Sequence, residues 1–404
     1  MAADLVLVVL SSLAILALIA IAASLADAVR FRRRVRESLR WSWTSYSPNV
    51  LLIVPCRGAD VELGRNIEAI LRQTGVAYRT VLVVDSPDDP AAAAIRGATA
   101  ASPQAGAAML VAPPRRGYSG KASALLRGLE ERTPGDEVVA FADSDIRTDP
   151  RWLRTLVQPL ADPLVGSATG YRWYIPAGGA MPSVARAAWN AVGMNIFFDD
   201  RYNFAWGGSN AIRAETLGAI DVASRWRGTL SEDLALTDSV KAMGRTVAFV
   251  PAAVSPTVEG CTWRELLEWS TRQTAMVAVW GRHIGRYAAL TYGVFNGISV
   301  LGVVALVLGA FVDPLYFLPA AAFLVNLPAT IAKNHHRAES VFLGNPALRA
   351  MWRVRGGRFA LAALLVPWLV TYNLARAGRM REVEWRGRLY RVERGTIVDS
   401  PRET

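Results

Sequence analysis

Val138-Val139-Ala140-Phe141-Ala142-Asp143-Ser144-Asp145 is an unbroken apolar run that ends in two carboxylates. A continuous run of this kind fits a strand buried on both faces, whereas a half-exposed strand would alternate. Two similar runs lie upstream. One is Val50-Leu51-Leu52-Ile53-Val54-Pro55, and the other is Thr80-Val81-Leu82-Val83-Val84, with Asp85 directly after it. Between them, Leu63, Ile67, Ile70 and Leu71 fall at helical spacing and predict a helix over 61–73. Strands alternating with helices predict an α/β unit whose parallel sheet is covered on both faces. Ligands of such sheets bind beyond the carboxyl ends of the strands, where Asp85, Asp143 and Asp145 stand.

The composition sets the surroundings of this unit. Of 404 residues, 52% are apolar and 20% are charged, below the roughly 25% charged residues of an ordinary globular domain. That balance excludes a disordered chain, a collagen-like repeat and a disulfide scaffold. Cys56 and Cys261 are the only cysteines, which fits a reducing compartment. The formal charge is +11, and Lys121, Lys241 and Lys333 are the only lysines among 45 basic residues. A basic, apolar-rich chain points to nucleic acid or to an anionic membrane surface. No basic patch interleaved with aromatics and no nucleic-acid-binding motif is present, so no nucleic-acid partner is expected.

Hydropathy selects the membrane. Asp4 is the only charge before Asp27, and the intervening stretch is long enough to cross a ~30 Å hydrocarbon core as a helix. A cleaved signal peptide would have a shorter run preceded by basic residues, so a retained anchor over 1–29 is expected. Arg30, Arg32, Arg33, Arg34 and Arg36 follow at once, which predicts a cytoplasmic location for what comes next. The chain from about 49 to 256 has a soluble character. Uncharged stretches then return at 287–312, 314–332 and 359–375, read as membrane-embedded segments. Three full crossings would leave the arginine-rich tail outside, against the positive-inside rule. One segment is therefore expected to be re-entrant or interfacial, with Pro367 marking the last as the candidate.

The soluble block carries the chemistry. Asp143 and Asp145, two residues apart at a strand end, suit Mg²⁺ or Mn²⁺, which take few protein carboxylates and complete their shell with substrate phosphates. A bare D-x-D is common in surface loops, and its place after a buried strand is what favours function. Asp85 can accept from a base N–H or a ribose hydroxyl, while Asp88 and Asp89 read as turn residues. Lys121 follows Gly120 at a predicted helix start, where backbone N–H groups can approach an anion. A lysine there, in a chain that otherwise uses arginine, fits a point-charge role, although an ordinary surface lysine fits as well. Ser231 reads as the cap of a helix, with Glu232 and Asp233 at its positive end. A carboxylate in that place could also serve as a general base.

Together these residues resemble the inverting family-two type of glycosyltransferase with a GT-A fold, most closely its ceramide glucosyltransferase-like branch. The resemblance runs from about 50 to 273. It rests on Pro55-Cys56-Arg57-Gly58, Val84-Asp85 with Asp89-Pro90-Ala91, Gly120-Lys121, Asp143-Ser144-Asp145-Ile146, Gly207-Gly208-Ser209-Asn210-Ala211-Ile212-Arg213 and Glu232-Asp233. It implies a Rossmann-like nucleotide-sugar-binding domain. Arg57, Asp85, Lys121 and Asp143 would hold the nucleotide sugar, Asp145 with Asp143 the metal, and Asp233 would be the base. The family's Q/R-x-x-R-W signature appears as Glu265-Leu266-Leu267-Glu268-Trp269, with acidic residues at both basic positions. The diphosphate and acceptor contacts are then expected from Trp269, Arg272, Gln273 and Glu232. In the tail, Trp385-Arg386-Gly387-Arg388-Leu389-Tyr390 resembles a C-terminal motif of membrane glycosyltransferases, and reads equally as a basic surface segment.

The resulting expectation is a multi-pass enzyme of the cell membrane with a cytoplasmic catalytic domain at 30–262. An interfacial amphipathic helix at 263–286, membrane segments at 287–376 and a basic cytoplasmic tail at 377–404 would complete it. It would move a hexose from a nucleotide-diphosphate sugar, with UDP the expected nucleotide, to a lipid in the bilayer. The alternatives are a transferase that extends a polysaccharide and a basic membrane-tethered binder without catalysis. A transporter would need ionisable residues within the membrane segments, and the three uncharged stretches have none.

Overall fold

The computed structural model describes residues 2–39, 45–103, 106–354, 356–393, 395–398 and 402–403. The strands read from sequence lie at the centre of a seven-stranded sheet. They are β1 (Val50–Pro55), β2 (Tyr78–Val84) and β4 (Val138–Ala142), joined by β3 (Ala107–Val111), β5 (Val165–Thr169), β7 (Ser209–Arg213) and β8 (Thr246–Phe249) in the order β3-β2-β1-β4-β7-β5-β8. A fully parallel sheet was expected, and β3-β2-β1-β4 is parallel. However, β7 runs antiparallel to both β4 and β5, so the sheet is mixed. A separate parallel pair is formed by β6 (Arg172–Pro176) and β9 (Ser255–Glu259).

Side chains alternate across β1, so Leu52 and Val54 feed one core while Leu51 and Ile53 feed the other. The first core packs α2 (Leu63–Ile70), α3 (Pro90–Ala100) and α5 (Trp152–Val157). The second packs α4 (Gly120–Leu129), α7 (Ala214–Gly218), α8 (Val222–Trp226) and α9 (Glu232–Ala242). Both faces of the strands are thereby dry, as their unbroken apolar sequences require.

A third core joins this domain to the apolar helices. It combines Trp173 and Tyr174 of β6 and Ala188 of α6 (Met181–Val192) with Phe342, Phe359 and Val370. The helix α1 (Ala2–Leu39) continues ten residues beyond the expected boundary at 29, because arginine is a good helix former. Its Phe31 and Val35 are buried in this third core. The segment expected to be interfacial is α10 (Trp263–Trp280), which starts in a Thr262–Glu265 capping box and ends at Gly281. It thus stops short of 286, and α11 (Arg282–Phe311) begins at once.

Beyond α11 come α12 (Phe317–Leu324), α13 (Asn326–Gly344), α14 (Pro346–Met351) and α15 (Gly356–Ala377). The basic stretch 333–337, expected between segments, is part of α13. Among the described residues, four stretches are long and apolar enough to cross a membrane: Asp4–Leu39, Arg282–Phe311, Pro314–Gly344 and Gly357–Ala377. Both ends of α15 are tied to segments outside the apolar helices. Arg358 Nη1 donates to the Gly179 carbonyl at 2.8 Å, and Asn373 Oδ1 accepts from the Thr271 hydroxyl of α10 at 3.1 Å. The tail is not a free basic segment. It folds into a small sheet of β10 (Glu382–Glu384), β11 (Arg388–Glu393), β12 (Thr396–Ile397) and β13 (Arg402–Glu403).

Candidate active site

The site grows from the end of β4. The Asp143 N–H donates to the Gly208 carbonyl at 3.2 Å, so the antiparallel β7 fixes the backbone that carries the acidic pair. A Cβ on Gly208 would lie 2.5 Å from Asp143 Oδ2 and 2.3 Å from the Trp206 ring. Only glycine lets these groups approach so closely. Lys121, in the first turn of α4, reaches Asp143 Oδ1 at 2.8 Å and Glu232 Oε1 at 2.9 Å. Arg172, at the start of β6, lies across both acids. Its Nη2 is 2.9 Å from Asp143 Oδ2 and 2.8 Å from Asp145 Oδ1, and its Nη1 is 2.9 Å from Asp145 Oδ2.

Burial and pairing divide the acids. Burial would raise the Asp143 carboxyl, but Lys121 and Arg172 outweigh it and hold the group below its ordinary range. Burial dominates at Asp145, with repulsion from Asp143 added, and its carboxyl is raised despite Arg172. Glu232 is pushed up to about 7, chiefly by burial and further by Asp233, with Lys121 opposing. Lys121 itself is raised: burial opposes its charge, and Asp143, Glu232 and Asp233 prevail.

Asp233 is held differently. Its Oδ1 accepts from the Ser231 hydroxyl at 2.5 Å and from the Leu234 N–H at 2.8 Å, and its Oδ2 accepts from the Gly207 N–H at 3.3 Å. Ser231 stands at the N-cap of α9, but its hydroxyl makes no cap hydrogen bond and serves Asp233 instead. The expected capping role is therefore corrected.

Asp85, at the end of β2, meets Arg57 Nη1 at 2.5 Å and Arg388 Nη2 at 2.9 Å. Burial raises its carboxyl against the pull of these two arginines. On α10, Glu265 caps the helix and the exposed Glu268 pairs with Arg264 at 2.8 Å, so both acidic departures from the family signature have local partners while still lining the cavity. Trp269 meets Trp189 and Tyr174 edge-on. Arg272 is half-buried, its Nε has no hydrogen-bond partner among the described residues, and burial lowers its pKa.

All of these groups face one cavity of about 710 Å³. It gathers Arg57, Asp85, Lys121, Asp143, Asp145, Glu232, Asp233, Trp269, Arg272 and Gln273, every site residue expected from sequence. Part of its lining is apolar. Trp189, Ile196, Ile284, Ala288, Val370 and Leu374 line it there, from α6, the turn after it, α11 and α15. Sequence reasoning missed Arg172, which bridges the acidic pair, and Asp60, which pairs with Arg386 of the tail. An arginine carries little signal in a chain with so many, and Asp60 lies in a loop without a motif.

Among the described residues no three acidic, His or Cys side chains form a metal cage. Two carboxylates are nevertheless a suitable donor set for a cation that takes its remaining ligands from phosphates. Asp143 and Asp145 already turn their oxygens toward one shared cationic group, the Arg172 guanidinium.

A family model described as Glycosyl transferase family 21 matches residues 12–398. The chain belongs to that family. This bears out the expected ceramide glucosyltransferase-like resemblance and makes the protein a glycosyltransferase with a GT-A-type α/β domain. No curated protein matches it. Among solved structures, the family 21 chain is similar to the mannosyltransferase PcManGT of Pyrobaculum calidifontis, in complex with GDP-Man and Mn²⁺. The identity is 18% and the TM-score 0.45, over 89% of this chain and 99% of that one. It is also similar to glucosyl-3-phosphoglycerate synthase of Mycobacterium tuberculosis, in complex with Mn²⁺, UDP and phosphoglyceric acid. There the identity is 18% and the TM-score 0.37, over 58% of this chain and 78% of that one.

Proposed function

We propose that this family 21 glycosyltransferase moves a hexose from a nucleoside-diphosphate sugar, expected to be a UDP-sugar, to a lipid of the bilayer, inverting the anomeric carbon. The observation that carries the reading is the mixed polar and apolar lining of the cavity. Acidic and basic groups meet at the strand ends, and an apolar wall opens among helices suited to a membrane. A water-soluble acceptor would have no use for that wall, whereas a lipid could present its head group to Asp233 while its chains stay in the apolar part.

In this reading Asp85 and Arg57 hold the nucleoside, and Lys121 with Asp143 holds the diphosphate end. Asp233 takes the proton of the acceptor hydroxyl, and that oxygen forms a bond to the anomeric carbon from the face opposite the leaving group. The bond from that carbon to the phosphate oxygen breaks, and its electrons leave with the diphosphate. Arg272, whose Nε has no hydrogen-bond partner among the described residues, would offset that charge. Glu232 holds Lys121, and Trp269 and Gln273 line the acceptor side. Mg²⁺ or Mn²⁺ at Asp143 and Asp145 would supply Lewis-acid stabilisation of the leaving group.

The location proposed is the cell membrane, with the catalytic domain in the cytoplasm beside the arginines that follow the first span. With both ends of α15 tied to segments outside the apolar helices, α1, α11 and α12–α13 are the crossings, and the basic tail returns to the cytoplasm.

The test is to incubate the purified protein with several nucleotide sugars and total membrane lipid, and to search for new glycolipids by mass spectrometry. One lipid carrying a single added hexose is expected. A growing polysaccharide would favour the polymer-extending alternative, and binding without sugar transfer would overturn the reading.

A further inference from the structure

The mechanism above leaves two arginines of the tail without a task. Trp385 and Arg388 exchange both backbone hydrogen bonds, at 2.8 and 3.1 Å, around a two-residue turn. Arg386 and Gly387 in that turn have φ of 53° and 67°. This left-handed pair is the tight hairpin turn that strand twist favours, but a side chain larger than glycine is uncommon at its first position. The turn aims Arg386 into the site, where it pairs with Asp60 and lies 3.7 Å from Asp145.

Arg388 begins β11 and is 3% exposed. Its Nη2 shares Asp85 Oδ2 with Arg57, while its Nη1 is buried with no hydrogen-bond partner among the described residues. That orphan donor abuts the first turn of α4, 2.2 Å from where a Cβ on Gly120 would stand. A guanidinium N–H without an acceptor, beside the positive end of a ten-residue helix, is unfavourable unless an anion joins them. Arg386, Arg388, Gly120 and Lys121 all line the cavity.

We propose that Arg386 and Arg388 bind the diphosphate of the donor, so that the tail sheet supplies one wall of the nucleotide site beside Asp143, Asp145 and Lys121. The inference rests on the nucleotide-sugar reading and adds to it the residues that close over the phosphates. Arginine suits the task because its planar fork can meet phosphate oxygens in pairs. The acids beside these arginines also explain why the tail docks at all. Asp60 anchors the Arg386 guanidinium, and Asp85 anchors that of Arg388, whose Nη1 still has an N–H donor to offer.

The experiment uses full-length protein in detergent with Mn²⁺. Calorimetry measures binding of UDP, GDP, ADP and dTDP and of the matching monophosphates, for wild type, Arg386→Gln, Arg388→Gln and Arg388→Lys. The expected result is a diphosphate Kd about tenfold or more weaker in both glutamine variants, in line with a lost hydrogen bond to a charged group. Monophosphate binding should change less than about threefold, and Arg388→Lys should recover part of the loss. Unchanged diphosphate affinity, or equal weakening for mono- and diphosphates, would overturn the inference and make the arginines mere braces for Asp60 and Asp85. If Arg388→Gln does not fold, Arg386→Gln, on the more exposed turn, decides the matter alone. Wild type that binds none of the four diphosphates would overturn the nucleotide-sugar reading itself, a distinct outcome.

Discussion

The hydroxyl of Tyr390 accepts a hydrogen bond from the backbone N–H of Gly120 at 3.0 Å, closing a separation of 270 residues. Gly120 is the first residue of α4, and Lys121 follows it into the site, so the tail holds the helix end that positions a site lysine. The glycine was expected to leave N–H groups open to an anion. Instead its own N–H is already engaged by the tail.

Replacing Tyr390 by Phe should therefore do more than trim a hydroxyl. The ring would still pack with Leu230, Val383, Val392 and Ile397. The Gly120 N–H would be left buried and unsatisfied, at a cost of about 1–3 kcal/mol. Hydrogen exchange followed by mass spectrometry should show faster exchange in β11 and in the first turn of α4, and little change in β1. Equal exchange in both proteins would mean that the hydrogen bond does not hold the tail.

Arg172→Ala tests the shared guanidinium. Removing one member of a largely buried ion network leaves the remaining charges uncompensated, typically at about 3–5 kcal/mol. In chelator the variant should melt at a markedly lower temperature than wild type. Mn²⁺ should restore more stability to the variant than to wild type, because Asp143 and Asp145 would gain a cation in place of the lost one. A melting temperature indifferent to Mn²⁺ would argue against these carboxylates as its ligands.

The centre of this site was legible because β1, β2 and β4 are unbroken apolar runs that each end near a polar group of the cavity. β3 was not, since Ala107-Ala108-Met109-Leu110-Val111 is a half-exposed edge strand with weak hydrophobic contrast. The direction of β7 is a tertiary choice that no local pattern records. Arg172 hid among its many fellow arginines. The tail offered a signal that its charge obscured: Arg388, Tyr390 and Val392 alternate as buried residues with Leu389, Arg391 and Glu393 on the outer face. That is a strand period, and reading only the arginines concealed it.

Glu232 gives the site a pH signature. Its carboxyl is raised by burial from 4.5 to about 7, so between those values the folded protein binds a proton that the unfolded chain has released. Stability contributed by this group is full below about pH 4.5 and is lost as pH rises toward 7. Glu232→Gln removes the titration. Compared with wild type, the variant should lose less stability between pH 5 and 7.5, with Asp143 still pairing Lys121. Denaturant unfolding at several pH values checks this, and parallel pH profiles for the two proteins would contradict it.

Asp233→Asn puts the proposed base at risk. Two of the three hydrogen bonds to Asp233 come from backbone N–H groups, and the third comes from a hydroxyl that can rotate. The asparagine carbonyl oxygen can keep at least one of these, so the variant should fold. As a purely structural residue at the start of α9, Asp233 would contribute about 0.3–1 kcal/mol through the helix dipole, and Glu232 shares that role. As a base it matters far more, because a neutral amide cannot take the acceptor proton, and such a loss typically lowers rates by about 10²–10⁴-fold. Donor binding should remain near wild type, since in this reading Arg57, Asp85, Lys121 and Asp143, and not Asp233, hold the nucleotide sugar. The expected variant is thus folded, competent to bind nucleotide sugar and nearly silent in transfer. Turnover above about a tenth of wild type would fall outside that range and remove Asp233 from the chemistry. Glu232 would inherit the role only poorly, because its carboxylate is committed to Lys121 at 2.9 Å.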